Sequence, residues 1–174
     1  MNKVSRILLV VFFMAATFMV GAMVLPTLAS AAEYVNASPA FTVTYGDEWK
    51  SKPTTGEADV LTRNHTDASR GFSISVADIP EGLKLEGHAK SYGEGLVASG
   101  IGSEFEIISN EATKTKDGSP AYFAETEWMY GGSTLITTGI MSAFKGGKWI
   151  YVHLWTLGAL EDEEMDILNS LNFK

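Results

Sequence analysis

The sequence contains no cysteine. That excludes a disulfide framework, a zinc–thiolate site, a thiol nucleophile and a lipid-bearing cysteine behind a leader. Histidine is scarce, with three in 174 residues. No H-E-x-x-H, G-x-S-x-G or phosphate-loop pattern occurs, so the common protease, hydrolase and nucleotide signatures are missing. Gly93-Glu94-Gly95-Leu96-Val97-Ala98 mimics a dinucleotide fingerprint, but it lies inside a helical pattern with no strand before it. No cofactor is expected. Positive charge is also short: 13 Lys and Arg face 21 Asp and Glu, for a formal charge of −8. Such a chain is not built to hold phosphate backbones or anionic headgroups, so no nucleic-acid partner is expected.

What the sequence does have begins with an address. Lys3 and Arg6 precede a nearly unbroken apolar run over residues 7–25, which Pro26 ends. Ala29 and Ala31 then fit a small-x-small cleavage pattern, with the cut after Ala31. Residues 1–31 read as a signal peptide and 32–174 as a single domain, periplasmic or secreted. The run is also long enough to span a bilayer, so retention would anchor the domain to the inner membrane through residues 7–25. The membrane is a partner only in that case. Without disulfides the exported domain must rely on its core, and ~140 residues suffice for one.

Three runs rich in β-branched and aromatic residues organise the domain between Ser119 and Leu157, punctuated by Gly131-Gly132 and Gly146-Gly147. Glycine reaches positive φ without a Cβ clash, so each pair suits a two-residue hairpin turn. The expectation is an antiparallel meander in the middle of the domain's only sheet. A two-residue second turn sets Lys145 opposite Lys148, Phe144 opposite Trp149, Ser142 opposite Tyr151, Ile140 opposite His153 and Thr138 opposite Trp155. A two-residue first turn sets Trp128 opposite Leu135 and Glu125 opposite Thr138. With a period of two, one face then collects Tyr122, Ala124, Trp128, Leu135, Met141, Ala143, Ile150, Val152 and Leu154 as the main core. Gly139 sits within it, where a helix can come close.

Around the meander, Phe41, Val43 and Tyr45 alternate as a first strand after a polar lead-in over residues 33–40. Trp49 plugs one end of the core. Residues 58–62 and 72–76 form a second hairpin. Leu85, Ala89, Tyr92 and Leu96 fall at helical spacing over about 84–99, with Gly87, Gly93 and Gly95 able to bring that helix close to the sheet. A strand through Phe105, Ile107 and Ala112 follows. After Leu157, Glu161 to Glu164 place negative charge in the first turn of a last helix, whose stripe is Met165, Leu168 and Leu171.

Three of these features together resemble the PsbP-like and DcrB-like group of small exported α/β proteins. They are the strand, turn and tryptophan FTVTYGDEW from Phe41 to Trp49, the helix with Tyr92 and Leu96, and the tail Ser170-Leu171-Asn172-Phe173. Gly46 stands where the family often has proline. The resemblance implies an α+β fold: an antiparallel sheet of about six to seven strands flanked by helices, an α/β/α sandwich. It implies binding and accessory roles rather than catalysis, and carries over no catalytic residue.

The register places Glu125, Glu127, Thr138, Trp149, Tyr151, His153 and Trp155 on the second sheet face. These are the candidate ligand- or partner-binding residues. The aromatic set suits a groove or interface, with a protein partner or small ligand as its occupant. Glu125, Glu127 and His153 would suit a divalent cation or acid–base work if they converge, although no metal spacing of known specificity is present. The reading is an exported, non-catalytic binding or accessory protein of the bacterial envelope. The alternatives are a membrane-tethered protein, and an enzyme or cation binder at those three residues. His65 and His88 stand alone, one in a turn and one on a helix surface.

Overall fold

A computed structural model describes residues 31–54 and 56–174. The expected leader lies outside the described residues except for Ala31. Among the described residues no helix is long and apolar enough to cross a membrane.

The chain runs β1 (Ala31–Ala37), β2 (Ala40–Gly46), β3 (Trp49–Ser51), β4 (Asp59–His65), β5 (Arg70–Asp78), a 3₁₀ turn (Leu85–Gly87), α1 (His88–Ala98), β6 (Gly102–Lys114), β7 (Pro120–Tyr130), β8 (Thr134–Lys145), β9 (Lys148–Thr156), α2 (Asp162–Asn169) and β10 (Asn172–Phe173). Seven strands form one antiparallel sheet in the order β3-β4-β5-β9-β8-β7-β6. The meander β7-β8-β9 lies inside it, as expected. The expectation of one sheet does not hold, because β1, β2 and β10 make a second, three-stranded sheet. The polar lead-in is its first strand: Tyr34 pairs with Val43 and Asn36 with Phe41.

The main core fills the space between one face of the large sheet, the small sheet and α2. Phe41, Phe72, Ile74, Met141, Ile150, Val152, Leu154, Ile167, Leu168 and Leu171 are all fully buried there. Trp49 closes one end, edge-on to Phe72 at 5.1 Å. Gly139 admits α2 as expected, since a Cβ there would sit 2.7 Å from the Leu168 side chain. The tail returns to the first strand: Phe173 pairs with Phe41 in the small sheet, their rings edge-to-face at 6.5 Å. The Ser170 hydroxyl accepts from the Thr44 amide at 2.8 Å.

The second hairpin of the meander has the expected register. Gly146 and Gly147 take φ of 59° and 74°, and Lys145 lies opposite Lys148. The like charges part company: Lys148 reaches Asp78, and Lys145 sits over the Phe173 ring at 5.2 Å. The first hairpin differs by one residue. Gly131 and Gly132 also take positive φ, and the Ser133 amide closes a turn onto the Tyr130 carbonyl. Ser133 is then an extra residue, and Thr134 takes the place opposite Tyr130. Trp128 therefore faces Ile136, Glu125 faces Gly139 and Phe123 faces Met141. A one-residue slip reverses every side chain of a strand. Ala121 and Phe123 thus enter the main core, while Tyr122, Ala124 and Trp128 turn to the opposite face. Leu135, expected in the core, is exposed.

Candidate binding cleft

The face of the large sheet opposite the main core is built from β9 outward. Trp149, Tyr151, His153 and Trp155 alternate along it, and β8 adds Ser142, Ile140, Thr138 and Ile136 beside them. The 3₁₀ turn and α1 lie across the Trp149–His153 end. The helix is carried by few buried groups: His88, Ala89 and Gly93. Gly93 lets it approach β6, because any Cβ there would enter the Phe105 ring.

His88, expected on a helix surface, is the anchor of α1. It is 4% exposed. Its ring is edge-on to Trp149 at 4.4 Å and to Tyr151 at 4.9 Å, and stacks on His153 at 5.0 Å. Nδ1 meets the buried Ser142 hydroxyl, and Nε2 lies 3.3 Å from His153 Nε2. Burial, then the neighbouring His153, push the His88 pKa down to about 2. Burial likewise takes His153 to about 4, against the pull of the Asp59 carboxylate. Both rings are neutral at pH 7. Tyr92 and Tyr151 flank His153 at 4.6 and 5.0 Å, and burial raises both phenols above their ordinary range.

Beside Tyr92, toward the Trp155 end of β9, a cleft of about 400 Å³ opens. Tyr92, Trp128, Tyr130, Ile136, Trp155 and Leu157 supply most of its lining. Trp128 donates its Nε1–H to Thr138 at 3.0 Å, which ties the indole's polar edge to the sheet. Trp155 lies over Gly71, where a Cβ would be 2.7–2.8 Å from three adjacent ring atoms. Tyr130 and Leu157 are more than half exposed at the mouth. The cleft is thus an aromatic recess in whose lining, among the described residues, the tyrosine hydroxyls are the titratable groups.

The seven candidate residues divide into three groups. Trp149, Tyr151 and His153 pack under α1. Trp155 lines the cleft, and Thr138 positions its Trp128. Glu125 and Glu127 lie on the other side of the sheet, half-buried beside Gly139 and Thr137. The expected Glu125–Glu127–His153 constellation does not form, because the extra residue in the first hairpin turns β7 over. Among the described residues no three metal-ligating side chains converge.

A second concavity of about 530 Å³ lies between β2 and α2, with Glu48, His65, Arg70, Glu163 and Asp166 in its wall. Its chemistry is internal. Arg70 pairs with Glu164, which is 1% exposed, and with Glu163 at 3.3 Å. Glu164 also accepts from the Glu161 amide at 3.0 Å, closing a capping box at the start of α2. Trp49 donates to Glu163 at 2.7 Å, and His65 Nε2 lies 3.4 Å from Arg70. The acidic run read as a helix start is that, and one of its members is a buried half of an ion pair. The sequence reading missed Arg70 and His88. His88 had a signal, since it lies one turn before Tyr92 on the same helical stripe. Arg70, in a polar turn region, had none.

No family model matches the sequence, and no curated protein matches it. Among solved structures it is similar to cyanobacterial PsbP (CyanoP) from Synechocystis sp., at 17% identity and a TM-score of 0.66, over 89% of this chain and 99% of that one. It is also similar to the Saccharomyces cerevisiae Ran-binding protein Mog1p, at 8% identity and a TM-score of 0.55, over 79% and 81%. A Bacteroides thetaiotaomicron protein matches at 12% identity and a TM-score of 0.50, over 82% of this chain and 48% of that one. The chain has the PsbP-like α+β fold.

Proposed function

We propose that the chain is an exported, non-catalytic binding or accessory protein of the bacterial envelope, and that it receives an apolar or aromatic group in the cleft beside Tyr92. The cleft itself carries this reading: four aromatic side chains, Tyr92, Trp128, Tyr130 and Trp155, line a recess beside α1 on one face of the sheet. A recess of this size and composition suits a small ligand or an anchoring side chain. The Trp128 indole N–H is already donated to Thr138, and among the described residues no charged side chain lines the recess, so its aromatic surfaces select the occupant. The imidazole pair packs under α1 and neither ring lines the cleft, so it supplies no acid or base to an occupant. The yeast neighbour is a Ran-binding protein, so the fold carries protein binding there.

The test is tryptophan fluorescence titrated with an uncharged hydrophobe such as 7,7-dimethyloctan-1-ol. Saturable quenching is expected, and Leu157→Asp at the mouth should weaken it at least fivefold with no change in melting temperature. Unsaturable quenching, or equal binding by L157D, would remove the cleft from the account.

A further inference from the structure

We infer that the natural occupant of this cleft is a small soluble compound bearing an alkylammonium cation, held against the aromatic rings by charge as well as apolar contact. This rests on the binding reading above and names the ligand class for it. Aromatic faces are electron-rich, and a cation desolvated among them is attracted where a neutral group of the same shape is not. Rings from Tyr92, Trp128, Tyr130 and Trp155 line the cleft, and among the described residues no lysine or arginine does. The indole polar edge that could repel a cation is turned away in Trp128, whose N–H is donated to Thr138.

The surroundings have the matching sign. Leu157 is shared between the cleft and a shallow shelf that includes Asp67, Arg70 and Glu161. The single guanidinium there faces four carboxylates: Asp67 at 4.0 Å, Glu161 at 3.8 Å, Glu163 at 3.3 Å, and Glu164. Negative charge is in surplus beside the mouth. Asp67 is half exposed, and hydrogen bonds from the Ser69 amide and hydroxyl hold its carboxyl well below the usual range, so it is ionised across neutral pH. The whole chain adds a formal charge of −8. Such a field draws cations toward an apolar recess that has no counter-ion of its own.

The experiment compares two probes of one shape. The cation is (6-hydroxyhexyl)trimethylammonium, and the control is 7,7-dimethyloctan-1-ol, in which carbon replaces the quaternary nitrogen. Calorimetric or fluorescence titration at low salt should give at least tenfold tighter binding of the cation, with the preference shrinking as salt is added. Tyr130→Leu keeps apolar area at an exposed position, and should reduce the cation's affinity by a larger factor than the alcohol's. Equal or tighter binding of the alcohol would overturn the cationic assignment while leaving the cleft reading standing. Failure of both probes would overturn both. Phosphatidylcholine vesicles should not sediment the protein; sedimentation without binding of the soluble cation would overturn the small-molecule assignment in favour of a lipid headgroup.

Discussion

His88 Nε2 lies 3.3 Å from His153 Nε2, joining the first turn of α1 to the middle of β9. Ser142 meets the other nitrogen of His88, Trp149 and Tyr151 box its ring, and Tyr92 covers His153 from one turn further along the helix. The charged group facing this cluster is Asp59, which hydrogen-bonds Ser75 at 2.6 Å and favours the charged form of His153. Two imidazoles so close, one of them buried, cannot both carry charge at low cost. The pair fastens a lightly held helix only while it is neutral.

Acid should therefore loosen the fold in a defined window. Both folded pKa values, about 2 for His88 and about 4 for His153, lie below the ordinary value of about 6.5. The unfolded chain takes up protons first. The stabilisation is complete above pH ~6.5 and declines as pH falls toward 4, by about 1.4 kcal/mol per pH unit for each proton bound only by the unfolded chain. The share of His153 is smaller, since its ring is partly exposed. Urea melts between pH 7.5 and 5 should show this slope, and His88→Gln should flatten it. A wild-type profile as flat as that of H88Q would contradict the pairing.

Two glycines of α1 should respond to alanine with opposite signs. Gly95 meets nothing, so Gly95→Ala gains helix propensity of about 1 kcal/mol. Gly93 is pressed by the Phe105 ring, so Gly93→Ala meets a clash whose cost, ~1–3 kcal/mol, exceeds the same gain. Phe105→Leu should restore much of the loss. Melting temperatures of the three variants decide it.

Removing Arg70 should be severe. Glu164 is buried, and Arg70→Ala strands its charge at a cost of about 3–5 kcal/mol. Glu164→Gln alone should cost less, because an amide oxygen can still accept from the Glu161 amide. The paired change to Met at both positions should recover most of the loss. Denaturant unfolding of the three variants is the measure, and additive losses in the pair would argue against an ion pair.

Glu125→Gln with Glu127→Gln should leave binding in the cleft unaltered, because both carboxylates lie across the sheet from it. Weakening of probe binding by more than twofold would put β7 in the other register.

The fold was readable from patterns that repeat locally. Alternation in β2, β5 and β9, the helical stripe of α1 and the charged start of α2 each reflect a period that burial imposes on sequence. The Gly146-Gly147 turn set its register because nothing intervenes between the second glycine and Lys148. The Gly131-Gly132 turn did not, because nothing in the type of Ser133 says whether it pairs or bulges. That one ambiguity moved Trp128 from the main core to the cleft and Glu125 and Glu127 away from His153. β1 was illegible for another reason: Glu33, Asn36 and three alanines on an exposed edge give little contrast between faces. The cleft also escaped, because it depends on how α1 and β7 are placed beside β9, a relation between elements that no local period encodes.

The four tryptophans report the central claim in one experiment. Trp49 packs beside α2, Trp149 lies under α1, and Trp128 and Trp155 line the cleft. A nitrogen-resolved NMR spectrum of the indole N–H groups, recorded while (6-hydroxyhexyl)trimethylammonium or its carbon isostere is added, reads each compartment separately. The account predicts saturable movement of the Trp128 and Trp155 signals with Trp49 unmoved. Movement of Trp49 alone, or of none of the four, would contradict it.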